Sequence, residues 1–272
     1  VGADYGWWPA ILYMTCQSIA PLFLYVVAKK VRRREALTVS DIFNDRYGSF
    51  ARNFAAIVIV IAYVGTCAYQ FKAFGNAIYV CTGASLQVST IIGIIVIVAL
   101  AMMGGMRSVA VTDCVGAIFI TGAMIVALIA SFLFNGGIDG VLARTAAGTT
   151  DFPFGNYGAL PWLALTFGGT MNIIGDQNFI QRMSSGRDNK TLKKAIFIFV
   201  GIIFAVMFCS STLGFVLRTV SPDVTSDLLF FTYAADAAPA TGAIMVACGA
   251  ALILTTANSY LLSATASGVM DI

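Results

Sequence analysis

Apolar residues run through this chain in long unbroken stretches, not in the alternating pattern of half-buried strands or the one-sided stripe of a surface helix. Between charged residues these stretches cover 5–28, 53–71, 73–106, 114–138, 152–175, 195–217 and 237–270. A helix crosses the hydrocarbon core of a bilayer with about 20 apolar residues. The pattern therefore predicts seven transmembrane helices, near 7–28, 52–80, 87–105, 109–135, 159–182, 194–217 and 240–268. Lys72 interrupts the second span without ending it, and a turn at Thr82-Gly83-Ala84-Ser85 leads into the third. Polar residues collect at 136–158 and 218–239, which are rich in Gly, Thr, Ser, Asp and Pro and read most simply as loops in water. Residues 1–272 are thus expected to form a single all-α integral membrane domain with no soluble part. No charged segment precedes a short apolar core at the start, and the last apolar run ends at Met270-Asp271-Ile272, so the chain reads as an internal fragment of a longer protein.

Composition narrows the class. Hydrophobic residues make up 59% and charged residues 11%, whereas soluble domains carry about 25% charged residues. That excludes a soluble or disordered chain. A net charge of +3 is too small for nucleic acid as a partner. Histidine is absent, which removes histidine general bases, most zinc and haem sites and histidine pH sensing. Cys16, Cys67, Cys81, Cys114, Cys209 and Cys248 form no CxxC pair and read as small buried hydrophobes. The apolar spans contain no nucleophile–base pair and no metal cluster, so an enzyme is not expected, nor any cofactor.

The charge balance becomes informative once it is sorted by side. Thirteen of the 16 Lys and Arg fall on one face: seven between Lys29 and Arg52, Arg107 alone, and five between Arg182 and Lys194. Arg144 and Arg218 lie on the other face, and Lys72 within a span. The excess marks the cytoplasmic side, placing the N-terminus of this segment outside and its C-terminus inside a cell (plasma) membrane.

Charge within a span is costly, so each case is a candidate. Lys72 is read as snorkelling or pairing with a carboxylate. Asp113 is read as a charge at a helix start, and Asp176 as a solvated helix end near Arg182. In the last span, positions 252, 255, 256 and 259 share one helix face, where Thr255, Thr256 and Ser259 offer neutral oxygens that suit a small alkali cation. The same hydroxyls also fit helix packing or back-bonding to the carbonyl four residues earlier.

Four segments, in order along the chain, carry a resemblance. Gly104-Gly105-Met106-Arg107-Ser108-Val109-Ala110-Val111-Thr112-Asp113 resembles the GG-x-R-A-V-x-x-T-D signature of the sodium:solute symporter family, which includes sodium/proline, sodium/glucose and sodium/pantothenate carriers. The stretch from Leu37 to Gly48 is similar to its cytoplasmic T-x-x-D loop, and Gln177-Asn178-Phe179-Ile180-Gln181-Arg182 to its Q-x-x-x-Q-R segment. The Thr255-Thr256 face is similar to its sodium-binding helix. The resemblance implies a LeuT-type core of two inverted five-helix repeats, with the seven spans as core helices 2 to 8, and core helix 1 and core helices 9 and 10 missing.

It further implies sodium held by Thr255, Thr256 and the backbone carbonyl of Leu252, with carbonyls of core helix 1 completing the site. Asp113, Asn258 and Ser259 would mark a second sodium or its release path. Here the chain departs from the family, with Asn258 in place of a hydroxyl and Gly116 in place of a Gln. Core helices 3 and 6 line the family's cavity, which points to Tyr63, Thr66 and Gln70 on span 2 and to Thr170, Met171 and Asn172 on span 5 for the solute. The implied activity is sodium-coupled symport of a small polar solute by alternating access, with sodium, solute and lipid bilayer as partners. Two other readings stand beside it. One is a transporter-like sensor module of a signalling protein. The other is a seven-helix receptor or retinal protein, although residues 240–268 hold no Lys for retinal.

Overall fold

A computed structural model describes residues 2–33, 38–103, 106–145, 150–154, 158–184, 186 and 188–272. Gly104, Gly105, Arg34 and Arg187, and the side chains of Arg107 and of the basic run 29–33, lie outside the described residues. Twelve helices and no strand occur among the described residues: α1 (Gly2–Tyr5), α2 (Trp7–Arg33), α3 (Val39–Tyr47), α4 (Ser49–Thr82), α5 (Leu86–Met103), α6 (Met106–Phe134), α7 (Gly137–Ala143), α8 (Ala159–Gly175), α9 (Gln177–Ser184), α10 (Asn189–Val220), α11 (Ser226–Asp236) and α12 (Pro239–Met270). Five of these, α4, α5, α6 from Val109, α10 and α12, are long and apolar enough to cross a membrane. The other two predicted spans fall on α2 and on α8 with α9.

The outward faces of these helices are as apolar as the inward ones. Ile61 on α4, Ile95 on α5 and Ile118 on α6 are all exposed. A helix that is apolar all round suits lipid, where every backbone group must be satisfied within the helix itself. α12 lies at the centre, packed against α4, α6, α5 and α11, while α10 bridges α2 and α6. One buried cluster joins Met124 of α6, Leu213 of α10, Leu229 of α11 and Met245 of α12. A second joins Ala77, Ile97, Phe231 and Ala257 across α4, α5, α11 and α12.

Three features depart from the expected outline. The polar stretches after α6 and α10 contain α7 and α11. α11 buries Leu229, Phe231 and Ala234, and Lys72 of α4 donates a hydrogen bond to Asp227 at its first turn. The fifth span is broken: α8 stops at Gly175, Asp176 takes an extended conformation, and its side chain accepts the Asn178 N–H at 2.8 Å to start α9. Asp113 is not at a helix start, because α6 begins at Met106 and places it two turns in.

Candidate functional site

The break between α8 and α9 organises the centre of the molecule. Asp176 is 8% exposed, not solvated. Tyr63 of α4 donates to its Oδ1 at 2.7 Å and Tyr260 of α12 to its Oδ2 at 3.1 Å. The two rings meet edge to face with centroids 4.9 Å apart. The Gln177 N–H in turn donates to the Tyr63 hydroxyl at 2.8 Å. A buried carboxylate needs hydrogen bonds to offset its lost hydration, and two tyrosines from different helices supply them. In sequence, the Gly175-Asp176 pair already carried the signal of a helix stop followed by an N-cap.

Gln177 ties the break to one end of the bundle. Its Nε2 donates to the Ser263 carbonyl at 3.1 Å and to Ser267 Oγ at 2.9 Å on α12, and its Oε1 accepts the Val39 N–H at 3.3 Å. Beside it, Thr38 forms a capping box with Asp41 at the start of α3. Thr38 also donates to Asp271 Oδ1 at 2.9 Å, and Arg52 reaches the same carboxylate at 3.2 Å. Residues from two of the four sequence motifs thus meet around the last turn of α12.

α8 is held from its other side by α2. In the amide orientation its neighbours require, buried Gln17 donates to the Gly169 carbonyl at 3.0 Å and accepts the Thr170 N–H at 3.1 Å and the Tyr13 hydroxyl at 3.3 Å. A Cβ on Gly169 would lie 1.9 Å from the Gln17 amide nitrogen and 2.8 Å from the Tyr13 hydroxyl, so an alanine there would displace both side-chain ends and disturb these hydrogen bonds.

Next to the break lies a cleft of about 340 Å³ between α6, α9, α10 and α12. Leu252, Thr255, Thr256, Ser259 and Asp113 all line it. Five of the six residues named for sodium binding and release, from two helices, thus share one cavity. The Thr255 hydroxyl donates to the Ala251 carbonyl at 2.9 Å and that of Thr256 to the Leu252 carbonyl at 2.7 Å. Back-bonding therefore accounts for the hydroxyl protons and leaves oxygen lone pairs as acceptors. Gly116 lets α6 approach closely here, since a Cβ on it would come within 3.2 Å of Thr255 Cγ2. Leu252 also borders a second cavity of about 290 Å³, beneath α1 and α11.

Asp113 pairs with Arg182 of α9 at 2.6 Å, and the same Arg182 nitrogen donates to Ser259 Oγ at 2.7 Å. The sequence placed Arg182 beside Asp176; the structure places it on Asp113. Asn258 does not line the cleft, and its Oδ1 is buried with no hydrogen-bond partner. Tyr63, Thr66, Gln70, Thr170, Met171 and Asn172, expected to face a solute, are not among the cleft's walls. Tyr63 is engaged by Asp176, Thr66 back-bonds to the Ala62 carbonyl at 3.1 Å, and Met171 and Asn172 are exposed.

A discontinuous helix beside a cavity that gathers hydroxyls and a carboxylate, within a bundle of membrane-length helices, is the build of a secondary membrane transporter. The profile of the sodium:solute symporter family, a family of transporters, matches residues 1–272, and the chain belongs to that family. The sodium/pantothenate symporter of Haemophilus influenzae is 24% identical over 284 residues, covering 98% of this chain and 57% of the relative. That of Escherichia coli is 25% identical over 283 residues with the same coverage. A Na+-coupled sialic acid symporter, solved in a substrate-bound outward-open state, superposes with a TM-score of 0.80 at 19% identity, over 98% of this chain and 60% of that one. The fold is thus of the LeuT type, and the chain spans little more than half the length of these relatives.

Proposed function

We propose that this chain is the central part of a sodium-coupled symporter that imports a small polar solute across the cell membrane. Sodium is held by Thr255, Thr256 and the Leu252 carbonyl, with further ligands from core helix 1, and leaves past Ser259 and Asp113. The N-terminus of the segment lies outside and its C-terminus inside. The observation that carries this reading is the cleft, which gathers Leu252, Thr255, Thr256, Ser259 and Asp113 on one cavity wall. Hydroxyl and carbonyl oxygens bind a small alkali cation without a buried permanent charge, so binding and release stay balanced. Sodium binding favours one arrangement of the bundle, and rocking about the site then exposes sodium and solute to the other side. The solute is assigned to Tyr63, Thr66 and Gln70 on α4 and to Thr170, Met171 and Asn172 on α8.

The named relatives carry pantothenate and sialic acid, both carboxylates, so small carboxylates lead the solutes to be tried. The test is uptake of such a panel by the full-length protein with sodium or choline outside. Thr255→Ala and Thr256→Ala are each expected to weaken apparent sodium affinity by roughly 5–30-fold, the loss of about 1–2 kcal/mol. Unchanged sodium dependence in both variants removes the site assignment.

A further inference from the structure

One nitrogen of Arg182 touches two oxygens contributed by two other helices: Asp113 Oδ2 of α6 at 2.6 Å and Ser259 Oγ of α12 at 2.7 Å. Those two oxygens are themselves 3.4 Å apart, a spacing at which a single small cation touches both. The guanidinium therefore stands where an inorganic cation bridging α6 and α12 would stand. Asp113 Oδ1 is buried and accepts no hydrogen bond, so the carboxylate keeps acceptor capacity that the contacts of Arg182 and Ser259 with Oδ2 do not use.

We propose that Arg182 is a tethered cation that competes with sodium for the place between Asp113 and Ser259. This rests on the reading of the cleft as a sodium path. Two positive charges within a few ångström of one carboxylate repel each other, and the space between the two oxygens fits one cation, so the place holds guanidinium or sodium, one at a time. When sodium sits there, Arg182 is withdrawn; when sodium leaves, Arg182 returns and keeps Asp113 neutralised. Arg182 rides on α9, which the break at Asp176 separates from α8, so its withdrawal does not require α8 to move with it. The Arg182 side chain is also half exposed, which gives it a route away from the carboxylate.

The experiment is equilibrium binding of radiolabelled sodium to the purified full-length protein at constant ionic strength. Removing a competing charge tightens sodium binding, whereas removing a merely structural residue does not. Arg182→Gln is expected to lower the half-saturating sodium concentration by roughly fivefold or more, the lower end of ordinary coupling between two ligands. Adding Asp113→Asn is expected to abolish that gain. If Arg182→Gln does not fold, Arg182→Lys carries the test, because a single ammonium holds the two oxygens less well than a guanidinium; tighter sodium binding than in the wild type then supports the proposal. Unchanged or weaker binding in a folded Arg182 variant, with wild-type binding still sensitive to Thr255→Ala, overturns the tethered cation alone. Absence of sodium binding in the wild type and in both Arg182 variants overturns it together with the proposed function.

Discussion

At Asp176 a buried carboxylate is met by hydroxyls from α4 and α12 and by the N–H and side chain of Asn178. Truncating it leaves the buried Tyr63 and half-buried Tyr260 hydroxyl protons without their acceptor, and each unpaired buried group costs about 1–3 kcal/mol. Asp176→Ala is therefore expected to lower the thermal unfolding midpoint in detergent well below that of Asp176→Asn, which keeps an acceptor oxygen. Equal midpoints would mean that the tyrosines find other partners. At this scale the sequence was least legible. Asp176 and Arg182 looked like neighbours on one helix end, because six residues separate them. Their partners lie 113 and 69 positions away along the chain, and no local pattern encodes such distant pairings. For Thr255 and Thr256 the back-bonding was legible, because it follows from hydroxyl chemistry and helix geometry within one turn; their use as cation ligands belongs to the proposed function.

Among the elements, the long helices were legible because bilayer thickness imposes a length and lipid imposes an apolar exterior. α11 was not. Its flanks are polar, and its buried Leu229, Phe231 and Ala234 make too short a stretch to stand out from a loop. The contact between α2 and α8 escaped notice for a different reason. Gln17 looks like one polar residue in an apolar run, and only the approach of Gly169 shows what it binds. Pro21 removes the N–H that would otherwise bond the Gln17 carbonyl, so both polar ends of this residue depart from ordinary helix pairing. Gly169→Ala is expected to cost about 1–3 kcal/mol by overpacking. Combined with Gln17→Ala it should cost less than the sum of the two single changes, since the clash and the lost hydrogen bonds share one contact. A double-mutant cycle of unfolding free energies checks this, and strict additivity would show that the two residues act separately.

Across the whole molecule, the two ends of the bundle are fastened differently. At the α3 end, Thr38, Asp271, Arg52 and Gln177 form a network in which the Asp271 side chain is fully buried. At the α11 end, the fastenings are ion pairs of Lys72 with Asp227 and of Arg218 with Asp4, all at least a quarter exposed. Buried networks hold more strongly than exposed pairs. Asp271→Ala is accordingly expected to speed amide hydrogen exchange across α3 and the last turn of α12 while leaving α11 unaltered; uniform acceleration would point to global destabilisation instead.

The exposure of the Lys72–Asp227 and Arg218–Asp4 pairs has a consequence for how this protein meets salt. Screening shortens the reach of such charges from about 30 Å at 0.01 M to about 8 Å at 0.15 M. Under the proposed function, sodium chloride would therefore act on the molecule twice, as a specific ion at the Thr255–Thr256 face and as a diffuse ionic atmosphere that loosens the Lys72–Asp227 hold on α11. A sodium titration without compensating choline moves both at once. One with compensating choline isolates the specific ion, and a choline titration without sodium isolates the atmosphere.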